Sequence, residues 1–176
     1  MSTKATFSVK RLVLCALFCA LTSVLSQITI PTPFGIPITL QTFAVALCGY
    51  FLGKRDGTIS TLVYIAVGAV GVPVFAGFSG GIHKLAGPTG GFIFGFIFLA
   101  LLAGAGMRAK NKAVAIAFGI IGVLACHALG IIQYSLVTGT GLVASFLVVS
   151  GWFLVKDAAS AAIAYFLALE AKKHIK

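Results

Sequence analysis

Charged positions divide the chain into long apolar blocks. Leu12 to Gly53, Gly57 to His83, Leu85 to Met107 and Ala113 to Val155 carry no Asp, Glu, Lys or Arg, and beyond Lys156-Asp157 a further apolar stretch runs from Ala158 to Leu169. A membrane crossing takes about 20 residues, so the chain accommodates six helices with short connections. The pattern predicts spans near 12–28, 39–53, 58–75, 88–106, 113–136 and 153–171. The stretch Thr138 to Trp152 is apolar but rich in Gly and Ser, and reads as a short interfacial or re-entrant segment packed on protein rather than a seventh crossing.

The basic residues punctuate this pattern. They gather as Lys4/Lys10/Arg11, Lys54/Arg55, Arg108/Lys110/Lys112 and Lys172/Lys173/Lys176, leaving only Lys84 and Lys156 elsewhere. If every cluster is cytoplasmic, each stretch between clusters crosses an even number of times. The expected architecture is therefore all-α and integral to the membrane, with six transmembrane helices in three hairpins, both termini cytoplasmic, and structured outer loops. It is a single membrane domain over residues 1–176. Lys10-Arg11 before an apolar run has the form of a signal peptide. The run exceeds a usual signal core and no small-residue cleavage site follows, so a retained first span is expected.

Composition agrees. Hydrophobic residues make up 60% of the 176 positions and charged residues 9%, with a mean hydropathy of +1.11. No soluble domain of this size hides that much apolar surface, which excludes a cytosolic enzyme, a disordered chain and a secreted disulfide scaffold. The net charge of +10 follows the edges of the apolar blocks, so it reads as membrane topology and contact with lipid. No basic stripe interleaved with aromatics speaks for nucleic acid. Cys15, Cys19, Cys48 and Cys126 read as buried free thiols within apolar helices.

The irregular chemistry concentrates on one side. Pro31, Pro33, Pro37, Pro73 and Pro88 all fall in the predicted outer connections or at their helix ends, and nine glycines run from Gly68 to Gly95. Elaborate loops on a rigid scaffold are where binding lives, so an outward-facing site is expected. Candidate polar groups are Thr39, Gln41 and Thr42, leading into the second span, and Pro88, Thr89, Gly90 and Gly91, opening the fourth. Free N–H groups at a helix start attract anions or carbonyl oxygens. Lys156-Asp157 is the ionisable pair inside an apolar segment, where charge is costly and usually functional. His83 and Lys84 lie on the outer side as candidate anion ligands, and His127, Gln133 and Tyr134 fall on the fifth span. No nucleophile–base pair, helical two-histidine metal motif or phosphate loop occurs, so no enzyme activity, no cofactor and no ATP hydrolysis by this chain are expected.

The motifs IPITLQT (36–42), VPVFAG (72–77), Gly80-Gly81 and GPTGGF (87–92) resemble, in order and spacing, the BioY family of biotin-specific S components of energy-coupling-factor (ECF) transporters. The resemblance implies a six-helix protein of the bacterial cell membrane, multi-pass, that captures biotin from outside. It implies as partners a transmembrane coupling subunit and two cytoplasmic ATP-binding-cassette ATPases. Ala16 and Ala20 match the Ala-xxx-Ala spacing by which many S components dock. Asp157 aligns with the family's last-helix Asp, whereas Ser160 stands where the family has Lys, with Lys156 as a candidate substitute.

Biotin suits these residues. An ionised Asp157 can accept ureido N–H bonds, while Thr39, Gln41, Thr89 or the backbone of GPTGG can donate to carbonyl or carboxylate oxygens. Phe34, Phe75 and Tyr134 can wall the apolar ring, and Lys84, His83 or Lys156 can pair with the carboxylate; Gly81 completes the candidate set. An S component for another small vitamin, and a small channel or membrane enzyme working without an energising module, are the alternatives.

Overall fold

The computed structural model describes residues 8–33 and 36–174, so Lys4, Phe34 and Lys176 lie outside the described residues. The elements are α1 (Val9–Leu25), β1 (Thr29–Ile30), β2 (Ile38–Thr39), α2 (Gln41–Ala69), α3 (Ile82–Ala86), α4 (Gly90–Gly106), α5 (Lys112–Thr138), α6 (Leu142–Val149) and α7 (Gly151–His174). Helices α5 and α7 are each long and apolar enough to cross a membrane, and α4 is a shorter apolar helix.

Helix α2 is a hairpin rather than a rod. Gly53 takes φ +83° and ψ 176°, a conformation that costs a side-chain-bearing residue heavily. The chain reverses there. A Cβ on Gly57 would lie 2.8 Å from Gly49 Cα, and the Gln41 amide donates to the Tyr64 hydroxyl at 2.8 Å. The two arms therefore run antiparallel from the Lys54/Arg55 cluster back towards the first arm's start, which joins the second and third predicted spans at their expected tip. The second arm stops at Ala69, six residues short of the expected end, and 70–81 is an irregular loop.

Helix α4 packs between α2 and α5, α7 closes against both, and α1 lies along α2. Small residues set these distances. A Cβ on Gly95 would meet Cys126 Cα at 2.5 Å, and one on Gly104 would meet the Lys54 amide nitrogen at 2.4 Å. Leu12, Val13, Leu17 and Val24 of α1 and Val143, Trp152 and Val155 of α6–α7 stay exposed, as a lipid-facing surface requires.

At the end of the molecule that carries the α2 tip, Arg11 donates Nε–H to Asp56 Oδ2 at 2.7 Å. This bond, aided by the charges of Arg11 and Arg55 and opposed by partial burial, holds the Asp56 carboxyl below its usual range. At the opposite end, β1 pairs antiparallel with β2, Thr29 facing Thr39. Within 139–152 the chain forms the eight-residue α6, about 12 Å long and too short to cross.

Candidate ligand-binding site

A cavity of about 800 Å³, counted to its open mouth, lies among the start of α2, the 72–81 loop, α4, α5 and α7. One wall is apolar: Phe75, Phe92, Ile93, Phe96, Val149 and Phe153. The other gathers Thr39, Gln41, Thr42, Ser79, Lys84, Thr89, His127, Lys156 and Asp157.

Asp157 is buried two turns into α7. Its Oδ2 lies 3.1 Å from His127 Nε2 on α5, and His127 Nδ1 lies 2.8 Å from the hydroxyl of Ser150, which is fully buried. A neutral imidazole protonated at Nε2 satisfies both contacts: it donates to the carboxylate and accepts the Ser150 O–H. Phe92 presents its edge against the imidazole, with ring centroids 5.4 Å apart. The ring is therefore fixed on two sides and through both nitrogens.

Lys156 precedes Asp157 on the helix, and adjacent helical positions point about 100° apart. The long lysine chain folds across that gap. Its Nζ forms an ion pair with Asp157 Oδ1 and donates to the carbonyl of Thr39 at 2.9 Å. The ion pair lacks hydrogen-bond alignment, and Asp157 Oδ1 has no hydrogen-bond partner among the described residues. Lys156 thus stitches β2 to α7 and offsets the carboxylate charge.

Thr39 and Gln41 are also held. Thr39 Oγ1 accepts the Gln41 backbone N–H at 3.2 Å and lies 3.2 Å from Gln41 Oε1. The Gln41 amide leads to Tyr64, whose hydroxyl donates to the Val74 carbonyl at 3.1 Å. Lys84, on α3, reaches the cavity with no hydrogen-bond or ion-pair partner among the described residues.

Thr39, Gln41, Phe75, Lys84, Thr89, Lys156 and Asp157 thus converge on one cavity. Gly81, His83, Pro88, Gly90, Gly91 and Tyr134 lie outside its lining. His83 and Pro88 are exposed and Tyr134 is half-buried. Gly90 and Gly91 serve packing: a Cβ on Gly90 would meet the Leu85 carbonyl at 1.8 Å, and one on Gly91 the Leu129 carbonyl at 2.2 Å. Gln133 Nε2 donates to the carbonyls of Leu85 and Gly87 at 2.6 and 2.8 Å, so it shapes the turn before α4 rather than the cavity. Ala16 and Ala20 lie together on the exposed face of α1.

Sequence reasoning passed over Phe92, Phe96, Val149 and Phe153, because an apolar side chain in an apolar helix does not announce whether it faces lipid or a cavity. Of the polar residues placed on the fifth span, His127 borders the cavity.

The chain was compared with known proteins. A model of the BioY family matches residues 1–176. The biotin transporter BioY of Rhodobacter capsulatus is 37% identical over 164 residues, covering 90% of this chain and 84% of the relative. The biotin transporter BioY of Thermotoga maritima is 42% identical over 124 residues, covering 69% and 72%. A probable biotin transporter BioY of Pyrococcus horikoshii is 46% identical over 112 residues, covering 64% and 68%. The crystal structure of the S component for biotin from an ECF-type ABC transporter superposes with a TM-score of 0.88 at 26% identity, covering 98% of this chain and 95% of that one. With a family match along its whole length and relatives above 30% identity, this membrane protein belongs to the BioY family.

Proposed function

We propose that the chain captures biotin from outside the cell and delivers it for uptake as the S component of an ECF-type transporter. The observation that carries this reading is Asp157, a buried carboxylate lining the cavity whose Oδ1 is ion-paired with Lys156 Nζ but makes no aligned hydrogen bond among the described residues. The ureido ring of biotin brings two N–H donors to it, each charge-assisted bond contributing about 1.5–3 kcal/mol.

The rest of the cavity divides as biotin does. Phe75, Phe92, Phe96 and Phe153 enclose the apolar thiophane, and Thr39, Gln41 and Thr89 serve the ureido carbonyl. Lys84 takes the valerate carboxylate. It is the uncommitted cation, whereas Lys156 is already engaged by Asp157 and Thr39.

The family and the basic clusters support a six-span, multi-pass arrangement in the cell membrane. Both termini and the α2 tip then face the cytoplasm, and the cavity opens outward. Ala16 and Ala20, on the exposed face of α1, form the docking surface for a transmembrane coupling subunit, with two ATP-binding-cassette ATPases beneath it. Small residues one turn apart allow that close approach. Reporter fusions at the C-terminus test the orientation, and an external C-terminus would overturn it. Binding of labelled biotin to the purified chain without ATP tests the function: saturable one-to-one binding is expected, and none would refute the reading.

A further inference from the structure

We propose that Gln27 is a positioning residue that latches one wall of the cavity to the end of α1 and thereby governs how long the ligand stays. The proposal rests on the reading of the cavity as the biotin site.

Phe75, Ala76 and Ser79 line the cavity from a tight loop in which Phe75 and Ser79 exchange backbone hydrogen bonds at 2.8 and 3.2 Å. Between them, Gly77 and Phe78 take successive positive φ angles, +69° and +52°. For Phe78 this conformation is unfavourable, and its ring gains no burial, since it is 73% exposed. Something outside the loop must hold it.

Gln27, just past the end of α1, does so through both ends of its amide. Its Oε1 accepts the Phe78 N–H at 2.7 Å, and the two N–H groups of its Nε2 are shared between the end of α1, with Ser26 Oγ at 2.8 Å and the Ser23 carbonyl at 2.9 Å, and the loop, with the carbonyls of Phe75 and Val74 at the longer 3.2 and 3.3 Å. The Val74 carbonyl also accepts from the hydroxyls of Ser26 and Tyr64. Tyr64 receives the Gln41 amide, itself at the cavity. One side chain therefore ties α1 to a strained loop, and the loop forms the wall. Gln27 is not among the cavity-lining residues, so it acts through Phe75 and its neighbours.

The test measures biotin association, dissociation and stoichiometry for detergent-purified wild type, Gln27→Ala and Gln27→Glu. In parallel, amide hydrogen exchange is followed at Phe78 without ligand. Gln27→Ala should speed dissociation roughly tenfold through the lost hydrogen bonds, with association little changed and full stoichiometry kept. Exchange at Phe78 should rise. Gln27→Glu keeps the acceptor for Phe78 N–H, so exchange should stay closer to wild type. A lowered active fraction whose remaining sites release biotin at the wild-type rate would overturn the latch in favour of a merely structural role. Unchanged exchange at Phe78 in Gln27→Ala would overturn it whatever the ligand. Failure of wild type to bind biotin would instead overturn the functional reading.

Discussion

His127 of α5 and Asp157 of α7 meet at 3.1 Å, and the bond fixes one oxygen of the carboxylate while the other is ion-paired with Lys156. Each oxygen of the one side chain is thus held by a different residue. Asp157→Ala should weaken biotin binding at least about tenfold, the loss of one charge-assisted bond. Asp157→Asn should be milder or comparable, because it keeps an acceptor but loses the charge. His127→Ala should weaken binding by about three- to tenfold by freeing the carboxylate to turn. Calorimetry in detergent at fixed pH and salt measures all three. Wild-type affinity in folded Asp157→Ala would remove Asp157 from the site.

Lys84 and Lys156 are separated by ligand chemistry. Lys84→Ala should weaken biotin binding yet change little for biotin amide, which lacks the carboxylate. Lys156→Ala should weaken both alike, since it releases β2 from α7 and leaves Asp157 without its counter-charge. Competition assays with the two ligands read the difference, and the reverse pattern would exchange the roles.

Gly104 faces backbone of the α2 tip, where a Cβ would lie 2.4 Å from the Lys54 nitrogen, whereas nothing lies within 4 Å of a Cβ on Gly141. Gly104→Ala should therefore cost about 1–3 kcal/mol of stability through overpacking, and Gly141→Ala about 0.5 kcal/mol or less. Thermal unfolding in detergent compares them. Equal midpoints would show that α4 shifts to make room.

Arg11 and Asp56 give the end that carries the α2 tip an acid sensitivity. A carboxyl held below its usual value contributes stability that is fully present above the unfolded pKa, about 3.9. That contribution is lost as pH falls through the lowered folded value. The thermal midpoint of wild type should therefore drop below pH 4 more steeply than that of Asp56→Asn. Parallel curves would mean that the pair contributes nothing.

Ala16→Trp and Ala20→Trp should spare biotin binding but reduce co-purification with the coupling subunit. Both positions are exposed on α1, where a bulky ring holds a neighbouring helix away. Undiminished co-purification of both variants would move the docking face elsewhere.

Much of this molecule is legible from charge and hydropathy, and the reasons are physical. Lys54-Arg55 marks the α2 tip because charge must stay out of the hydrocarbon, and Gly53 supplies the turn. Asp157 stands out because an acid inside an apolar helix needs compensation. What compensates it was not legible: Ser150, 23 positions from its imidazole partner, and Thr39, 117 from Lys156, meet their partners only through the fold. The glycines of 87–91 show the opposite limit. A Gly-rich helix start signals equally a ligand cradle or close packing, and here Gly90 and Gly91 lie against Leu85 and Leu129. Gln27 carried no signal of its loop contacts, since beside its local bonds to Ser23 and Ser26 the groups it meets there are backbone 47 to 51 residues away.

The 117-residue separation bridged by Lys156 and Thr39 also bears on the order of events at the ribosome. The α2 hairpin closes through partners only 9 to 23 residues apart, so it can assemble while later helices are still being made. The cavity cannot. Its carboxylate, its counter-charge and Phe153 arrive with α7, so the site proposed for biotin is incomplete until α7 has been made. The vitamin can stabilise the completed protein but cannot act as a template for its nascent form.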